Sequence, residues 1–337
     1  MRFDSPQAFA ARLADLPGPD AGAREAAAAR QAQLTKPAGS LGRLEEIALF
    51  MAGWQGKERP ALDRVRTAIF AGNHGVTRHG ISAFPADVTV QMVANFEAGG
   101  AAINQLARAA GLELRVIALD LDRPTADFTE APAMSADECL DALNRGAELV
   151  EPGLDLLTVG EMGIGNSTAA AALCARSLGG DVRDWVGPGT GLDPAGIVRK
   201  VAVTEQALAK HADAPRIAFE TLRRLGGREI AAIAGAVLAA RHARVPVMLD
   251  GFIACAALAP LVADQPALAE HCLAGHCSAE PGHRRLLHQF SLTPLLQLGM
   301  RLGEGSGAAV AVPIVRSALA THNGMATFAE ASVSGKL

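Results

Sequence analysis

The 337-residue sequence contains no tyrosine, only 4% aromatic residues and no dense run of lysine or arginine. Its formal net charge is −4 at pH 7. These shortages argue against a nucleic-acid-binding surface, which needs clustered positive charge and, for single strands, aromatic side chains on which bases stack. Hydrophobic residues nevertheless make up 50% of the chain, which allows a sizeable core and excludes a disordered chain.

Long apolar segments and secretion signals are also missing. The longest apolar stretches, 230–240 and 252–262, fall short of the roughly 20 residues that a membrane-spanning helix needs. The first six residues contain no apolar leader core. The five cysteines form no Cys-x-x-Cys pair, which favours reduced, mostly buried thiols. We therefore expect a cytoplasmic protein that neither spans a membrane nor binds nucleic acid.

One segment rich in histidine and cysteine, 271–283, invites comparison with a metal site. Its members are His271, Cys272, His276, Cys277 and His283. The spacing fits no standard zinc pattern, and Gly275 and Pro281 would break a helix that aligned the ligands. The sequence favours loop or packing residues over a metal site, and we predict neither a metal nor a cofactor.

From about residue 65 the apolar pattern alternates between strand-like and helix-like runs. Strands are expected at 65–71, 112–120, 154–160 and 245–250, and helices at 88–109, 137–150, 169–178, 195–212, 228–244 and 251–262. This order predicts a doubly wound α/β fold with a mostly parallel, Rossmann-like sheet that binds ligands at the carboxyl ends of its strands. The helical character of both chain ends predicts a small helical domain, 1–64 plus 282–337, beside a catalytic domain at 65–281.

The most informative segment is the turn Gly-Glu-Met-Gly-Ile-Gly-Asn-Ser-Thr at 160–168. It joins an expected strand to an expected helix, so it offers free backbone amides at a helix N-terminus, where a phosphate binds favourably. A carboxylate beside a phosphate repels it. Glu161 is therefore expected to serve something other than phosphate binding.

Three further segments are candidates for a site. Gly-Pro-Gly-Thr-Gly at 187–191 precedes a helix that carries Lys200, which is a surface charge unless the phosphate loop lies nearby. Glu304 stands among the glycines of 303–307, either as an exposed loop residue or as a general base. Ser82, Phe84 and Gln91 lie around an expected helix start, where capping, core packing or solvent exposure is the ordinary explanation.

Glycine-rich loops alone would also fit a P-loop or dinucleotide enzyme. The chain lacks GxxxxGK[ST], and it lacks GxGxxG after its first strand. Both classes are therefore disfavoured.

In their order along the chain, the motifs resemble those of the nicotinate-nucleotide:dimethylbenzimidazole phosphoribosyltransferase family. They are LTKPAGSLGRLEEIA, AGNHGV, SAFPADVTVQMV, GEMGIGNST, GPGTGLD, MLDGFIACAALA, GHCSAEPGHRRLL and RLGEGSGAAVAVPIV, spread from residue 34 to about residue 315. The resemblance implies transfer of phosphoribose from nicotinate mononucleotide to 5,6-dimethylbenzimidazole, giving α-ribazole 5′-phosphate and nicotinate for cobalamin. It also implies a homodimer.

The resemblance further implies roles for individual residues. Glu304 matches the family's catalytic glutamate, and Glu161 matches its second acidic residue. The residues expected to hold the 5′-phosphate are Gly163, Ile164, Gly165, Asn166, Ser167 and Thr168, with Lys200 on the phosphate side. The other expected substrate-binding residues are Gly189 and Gly191 near nicotinate and ribose, Ser82, Phe84 and Gln91 at the benzimidazole, and Leu302 and Gly307 around Glu304.

The reaction chemistry agrees with these residue types. Benzimidazole becomes a better nucleophile when a carboxylate takes its N–H proton, and an apolar pocket would suit Glu304 to that task by raising its pKa. Positive charge develops on the ribose as nicotinate leaves, and Glu161 can stabilise it. The alternative is a catalytically silent nucleotide- or azole-binding sensor. Its sign would be a broken GEGSG or GEMGIGN motif, and both are intact.

Overall fold

The structure is a computed structural model and describes residues 1–334. Its strands are β1 Val65–Ala71, β2 Glu113–Ala118, β3 Leu156–Met162, β4 Val247–Leu249, β5 Cys272–His276 and β6 Pro294–Leu296. They form one sheet in the order β2-β1-β3-β4-β5-β6, and every neighbouring pair is parallel. The predicted doubly wound α/β fold is confirmed.

Helices cover both faces of this sheet. They are α1 Pro6–Ala14, α2 Ala21–Gln33, α3 Arg43–Gln55, α4 Val88–Glu97, α5 Ala102–Ala110, α6 Ala136–Ala147, α7 Asn166–Leu178, α8 Pro194–Lys210, α9 Ala218–Leu225, α10 Arg228–His242, α11 Phe252–Ala256, α12 Ala259–Asp264, α13 Pro281–Gln289 and α14 Ser306–Gly324. Short 3₁₀ turns lie at Gly75–His79, Val182–Asp184 and Pro266–His271. No helix within residues 1–334 is both long and apolar enough to cross a membrane.

The two faces of β1 show why the strands are apolar along their whole length. Ala68 and Phe70 pack into the larger core with α6, α7 and α10, whereas Val65 and Ile69 face the clusters built around α14 and its neighbours. All seven residues of β1 are buried. Burial on both faces is typical of a parallel sheet covered by helices.

The strand order changes direction beside β1, and this places the ligand crevice. The chain runs from β1 outward to β2 and then returns to β3 on the other side of β1. At such a switch point the connections diverge to opposite faces, which leaves a crevice at the carboxyl ends of the strands. The turn at 160–168 follows β3 at this edge.

Three details differ from the sequence-based expectation. The single helix expected at 88–109 is two helices, because Gly99 adopts a φ of +79° and the chain turns there before α5. The helix expected at 251–262 is likewise divided into α11 and α12. Strands β5 and β6 were not expected, since five residues containing a glycine and three that begin with proline carry a weak strand signal.

The division into a helical domain (1–64 plus 282–337) and a catalytic domain (65–281) stays a prediction. Within the described chain, α3 packs against both α2 and α14, so the two chain ends meet in one cluster. Arg30 of α2 strengthens this contact by donating to the backbone carbonyls of His322, Asn323 and Met325 at the end of α14. β6, which lies in the C-terminal part, belongs to the sheet.

Candidate active site

A cavity of about 270 Å³ opens at the carboxyl ends of β3, β4 and β5. The sequence-predicted residues that line it are Phe84, Glu161, Gly163, Ile164, Asn166, Ser167, Gly189 and Leu302. Residues that were not predicted to bind substrate also line it, among them Gly251, His276, Ser278, Glu280 and Arg301. Segments far apart in sequence thus meet at one edge of the sheet.

Other predicted site residues lie outside this lining. They are Ser82, Gln91, Gly165, Thr168, Gly191, Lys200, Glu304 and Gly307. Gln91 is exposed on α4, whereas Thr168 and Lys200 are buried behind the cavity wall. Ser82 lies near its mouth, where its hydroxyl is 3.4 Å from that of Thr190. The substrate-binding roles of all these residues stay predictions.

The N-terminus of α7 borders the cavity without a side-chain cap. Gly165 precedes the helix with a φ of +94°, and a Cβ there would come within 2.7 Å of Thr77 Cγ2. Glycine is therefore required for both conformation and space. The amide of Ile164 is satisfied by Thr89 Oγ1 at 3.1 Å. Such a helix start is suited to hold an anion.

Lys200 supports this helix start from behind. Its ammonium donates to Ser167 Oγ at 2.8 Å and to the carbonyl of Gly187 at 3.1 Å. Burial lowers the pKa of Lys200 to about 8, and the nearby carboxylate of Glu280 acts against this shift. Because Ser167 Oγ accepts from lysine, its own hydroxyl proton is free to donate to an anion in the cavity.

Glu161 lies at the end of β3 and is only 7% exposed. Burial raises its pKa to about 8. The side-chain amide of Asn166 donates to its carboxylate and opposes this rise, whereas the charges of Asp250, Glu229 and Glu304 add to it. A carboxyl group with this pKa exchanges a proton near neutral pH. It also lines the same cavity as the start of α7.

The loop that carries Glu304 is strained and tightly held. Gly303, Glu304 and Gly305 have φ values of +81°, +61° and +76°, and a non-glycine residue in this left-handed region is uncommon. Gly160 of β3 makes room for the loop, since a Cβ there would be 2.6 Å from the carbonyl carbon of Glu304.

Asp250, which follows β4, fixes this loop. Its carboxylate accepts from the amide of Gly305 at 3.2 Å and from that of Ala308 at 2.9 Å, so it caps the N-terminus of α14. His276 Nε2 lies 3.6 Å from its Oδ1. Burial raises the pKa of Asp250, and the charge of His276 opposes the rise.

The carboxylate of Glu304 is mostly buried and is not among the groups that line the cavity. Its Oε2 is buried without a partner among the described residues. Burial raises its pKa, the Ile103 amide lowers it and the charge of Asp250 raises it further. Its neighbour Gly303 lines the cavity, so one residue separates this carboxylate from the cavity wall.

The sequence predicted no substrate-binding or catalytic role for Asp250, His276, Glu229 or His74. The side chains of Glu229 on α10 and His74 after β1 are completely buried, and His74 Nε2 lies 2.6 Å from Glu229 Oε1. Asp250 and His276 stand in motifs that the resemblance used, MLDGF and GHC, and that was the available signal. Their meeting with the Glu304 loop depends on the pairing of β4 with β5, which the sequence did not predict because β5 was not recognised.

The histidine- and cysteine-rich segment is divided among different partners. His271 contacts the carbonyl of Val237, His276 faces Asp250, and His283 lies 3.3 Å from Cys255 Sγ. In residues 1–334, no group of three or more histidine, cysteine, aspartate or glutamate side chains is arranged to hold a metal ion.

Comparison with known proteins relates this chain to phosphoribosyltransferases, both by a family model and by individual relatives. A family model described as phosphoribosyltransferase matches residues 16–333. The nicotinate-nucleotide–dimethylbenzimidazole phosphoribosyltransferase of Novosphingobium aromaticivorans is 71% identical over 336 residues, covering 100% of this chain and 99% of the relative. The enzyme of the same name from Rhizobium etli CFN 42 is 58% identical over 328 residues, covering 97% of each chain.

A solved structure shows the same fold. The crystal structure of CobT from Thermus thermophilus matches with a TM-score of 0.88 at 41% sequence identity, covering 94% of this chain and 100% of that one.

Proposed function

The chain belongs to the nicotinate-nucleotide–dimethylbenzimidazole phosphoribosyltransferase family, and from this premise we propose how its residues carry out the reaction. The protein is a glycosyltransferase that moves phosphoribose from nicotinate mononucleotide to 5,6-dimethylbenzimidazole. The products are α-ribazole 5′-phosphate and nicotinate, and the former serves assembly of the cobalamin nucleotide loop.

One observation carries the assignment of the donor site. A single cavity joins an uncapped helix start, supported by Ser167 and Lys200, to the buried carboxyl group of Glu161. The 5′-phosphate binds at the start of α7, through the hydroxyl of Ser167 and those amides of 163–168 that have no partner within the protein, since the amides of Ile164, Asn166 and Thr168 are already bonded. Lys200 acts through Ser167, because its ammonium lies behind that hydroxyl.

The bond changes form a single displacement at the anomeric carbon. A benzimidazole nitrogen forms the new C–N bond while the bond to the pyridine nitrogen breaks, and the electron pair of the broken bond neutralises the pyridinium. The proton from the other benzimidazole nitrogen passes to Glu304. Attack from the face opposite the leaving group gives the α product.

The two glutamates divide the charge stabilisation. Glu304 receives the proton, which its raised pKa favours, and its neighbour Gly303 forms part of the cavity wall. Glu161, when ionised, stabilises the positive charge that develops on the ribose. Gly189 and Gly191 belong to the turn beside nicotinate and ribose.

The acceptor base binds at the mouth of the cavity. Phe84 and Leu302 line this part, and their exposed fractions of 51% and 55% leave apolar surface for an aromatic ring. Ser82 and Gln91 are the polar residues of the same segment. Gly165 and Thr168 complete the phosphate loop, and Gly307 allows the close approach of His276, whose ring a Cβ there would overlap.

We further propose that the protein works in the cytoplasm as a homodimer, which the family resemblance implies. Light scattering of the purified chain would test the assembly, with twice the monomer mass of 34.7 kDa expected.

The function is tested by incubating purified protein with nicotinate mononucleotide and 5,6-dimethylbenzimidazole. The expected result is α-ribazole 5′-phosphate, with one nicotinate released per product and the α configuration seen by NMR. Binding of both substrates without product would instead support a catalytically silent sensor and overturn the proposal.

A further inference from the structure

The cavity has an uneven distribution of charge that the reaction steps above do not use. Glu161 and Glu280 supply carboxyl groups to its lining, and Arg301 is the only lysine or arginine among the described residues that line it. Arg301 lies between β6 and α14 and is exposed. A single lysine or arginine side chain among acidic, neutral polar and apolar groups marks where an anionic part of a ligand is favoured.

The guanidinium of Arg301 makes one hydrogen bond within the described residues and has further N–H groups that can donate. Its Nη1 donates to the carbonyl of Gly189 at 3.2 Å, which fixes one side of the group against the 187–191 turn. Burial raises the pKa of Glu280. The charge of Lys200, the amide of Gly189 and, more weakly, the charge of Arg301 oppose this rise. The remaining N–H groups of the planar fork suit a second, bidentate acceptor.

The donor mononucleotide has two anionic groups, and the proposed binding mode accounts for one. The phosphate has the start of α7 and Ser167 with Lys200. The carboxylate on the pyridine ring has no such partner. Arg301 is two residues before Gly303, which packs directly against the carboxylate of Glu161, the residue proposed to face the anomeric carbon. The pyridine ring is bonded to that carbon, so its carboxylate falls within the part of the cavity that includes Arg301.

We propose that Arg301 binds the carboxylate of the nicotinate ring and thereby selects nicotinate mononucleotide over nicotinamide mononucleotide as the donor. This inference rests on the proposed function. A guanidinium recognises a carboxylate through two parallel charge-assisted hydrogen bonds, whereas a neutral carboxamide offers one acceptor and presents its own N–H groups to the cation.

The same contact assists departure of the leaving group. Before reaction the pyridinium charge and the carboxylate charge of the ring cancel. When the C–N bond breaks, the electron pair neutralises the pyridine nitrogen, and the free nicotinate carries a net negative charge. The attraction of Arg301 therefore grows towards the transition state, so its loss lowers kcat as well as raising KM.

The experiment compares Arg301→Met and Arg301→Lys with the wild-type enzyme on nicotinate mononucleotide and on nicotinamide mononucleotide. Arg301→Met is expected to lower kcat/KM for nicotinate mononucleotide by about 10- to 100-fold, as for loss of a charged hydrogen-bonded pair. Its effect on nicotinamide mononucleotide, measured as turnover or as an inhibition constant, is expected to stay within about 3-fold. Arg301→Lys falls between, because an ammonium lacks the fork.

Calorimetric titration with free nicotinate and free nicotinamide measures binding separately from turnover. Arg301→Met is expected to weaken nicotinate binding by about 10-fold or more while leaving nicotinamide binding unchanged. Arg183→Met is the matched control, since Arg183 is an exposed arginine paired with Asp181 outside the cavity. It should match the wild type in every measurement.

Equal losses on both donors would overturn the inference and assign Arg301 to the phosphate or to the 187–191 turn. A wild-type enzyme that uses both donors equally would also overturn it. Failure of the proposed function is distinct, because the wild type would then make no α-ribazole 5′-phosphate from nicotinate mononucleotide.

Discussion

Two glycine-rich turns, 160–168 before α7 and 303–307 before α14, look alike in sequence and differ in chemistry. Each has a glutamate directly after a glycine, and each enters its helix through a glycine with positive φ, Gly165 at +94° and Gly305 at +76°. They also touch, because Gly160 lies against the backbone of Gly305. Their local geometry alone would predict two equivalent anion sites.

The difference comes from a third segment. Asp250 accepts hydrogen bonds from amides at the start of α14, so that helix N-terminus is already neutralised by a carboxylate of the protein. The start of α7 has no side-chain cap and borders the cavity. A glycine-rich turn before a helix therefore binds an external anion only where the protein leaves its amides free.

Filling the space between the two turns by Gly160→Ala is expected to have the largest effect on stability and activity. In Gly160→Ala the new Cβ would meet the backbone of Glu304 and Gly305, which cannot move aside as a side-chain end can. We expect a loss of about 3 kcal/mol in the free energy of unfolding and loss of transfer activity. Urea unfolding measures the first, and Gly18→Ala, with no atom within 4 Å of the added Cβ, is the control. A stability equal to that of the control would contradict the tight packing of the turns.

The fold was predictable where patterns are local and long. The strands around 65–71, 112–120 and 154–160 and their connecting helices follow from apolar periodicity, as does the order that makes a parallel sheet. β5 and β6 are not predicted because a few residues containing glycine or proline carry little strand signal. The break at Gly99 was missed because an apolar pattern continues on both sides of it.

The candidate site was predictable to the same local extent. The turn at 160–168 shows its strand, glycines and helix in consecutive residues, so Glu161 could be recognised as a carboxylate beside a predicted anion site. Asp250 and His276 reach the 303–307 turn from other strands, and no local pattern encodes that contact. For the same reason the sequence could not show that Gly303 lines the cavity while Glu304 does not.

Removing the Asp250 cap is the next largest change. Asp250→Ala would leave the amides at the start of α14 unsatisfied and release the strained loop of Glu304. We expect a loss of about 2 kcal/mol in unfolding free energy and a marked fall in kcat, with the KM for nicotinate mononucleotide within about 3-fold of the wild type. Steady-state kinetics and urea unfolding measure these quantities.

Asp20→Ala is the matched control for this change. Asp20 caps α2 through the amide of Ala23 at 2.8 Å, so its loss should cost stability without lowering kcat. If Asp250→Ala raised the KM for the mononucleotide and left kcat unchanged, the start of α14 would be a substrate site, and the distinction between the turns would fail.

A smaller effect concerns the pH dependence of stability. Glu161 has a pKa of about 8 in the folded protein, against about 4.5 ordinarily. Between pH 4.5 and pH 8 the folded state holds a proton that the unfolded state has lost. The contribution of Glu161 to the free energy of unfolding is therefore full below pH 4.5 and is lost as the pH rises through 8. The loss is at most about 1.4 kcal/mol per pH unit. Glu161→Gln removes this titration.

Urea unfolding at pH 5, 6, 7 and 8 checks the sign. The wild type should lose more stability than Glu161→Gln as the pH rises. Lys200 does not mask the effect, because its pKa is lowered to about 8 from 10.5 and its contribution changes mainly above pH 8. Parallel curves for the two proteins would show that Glu161 is already ionised in the folded state.

The most direct test of the two-turn account measures kcat and the Kd for nicotinate mononucleotide in Ser167→Ala and Glu304→Gln. The account predicts a crossed pattern. Ser167→Ala should weaken mononucleotide binding by about 10-fold with a smaller change in kcat, because it removes a donor to the phosphate. Glu304→Gln should lower kcat by about 100-fold and leave the Kd within about 3-fold, as for loss of a general base. If both variants changed the same parameter, or if Glu304→Gln turned over at the wild-type rate, the separate roles of the two turns would be contradicted.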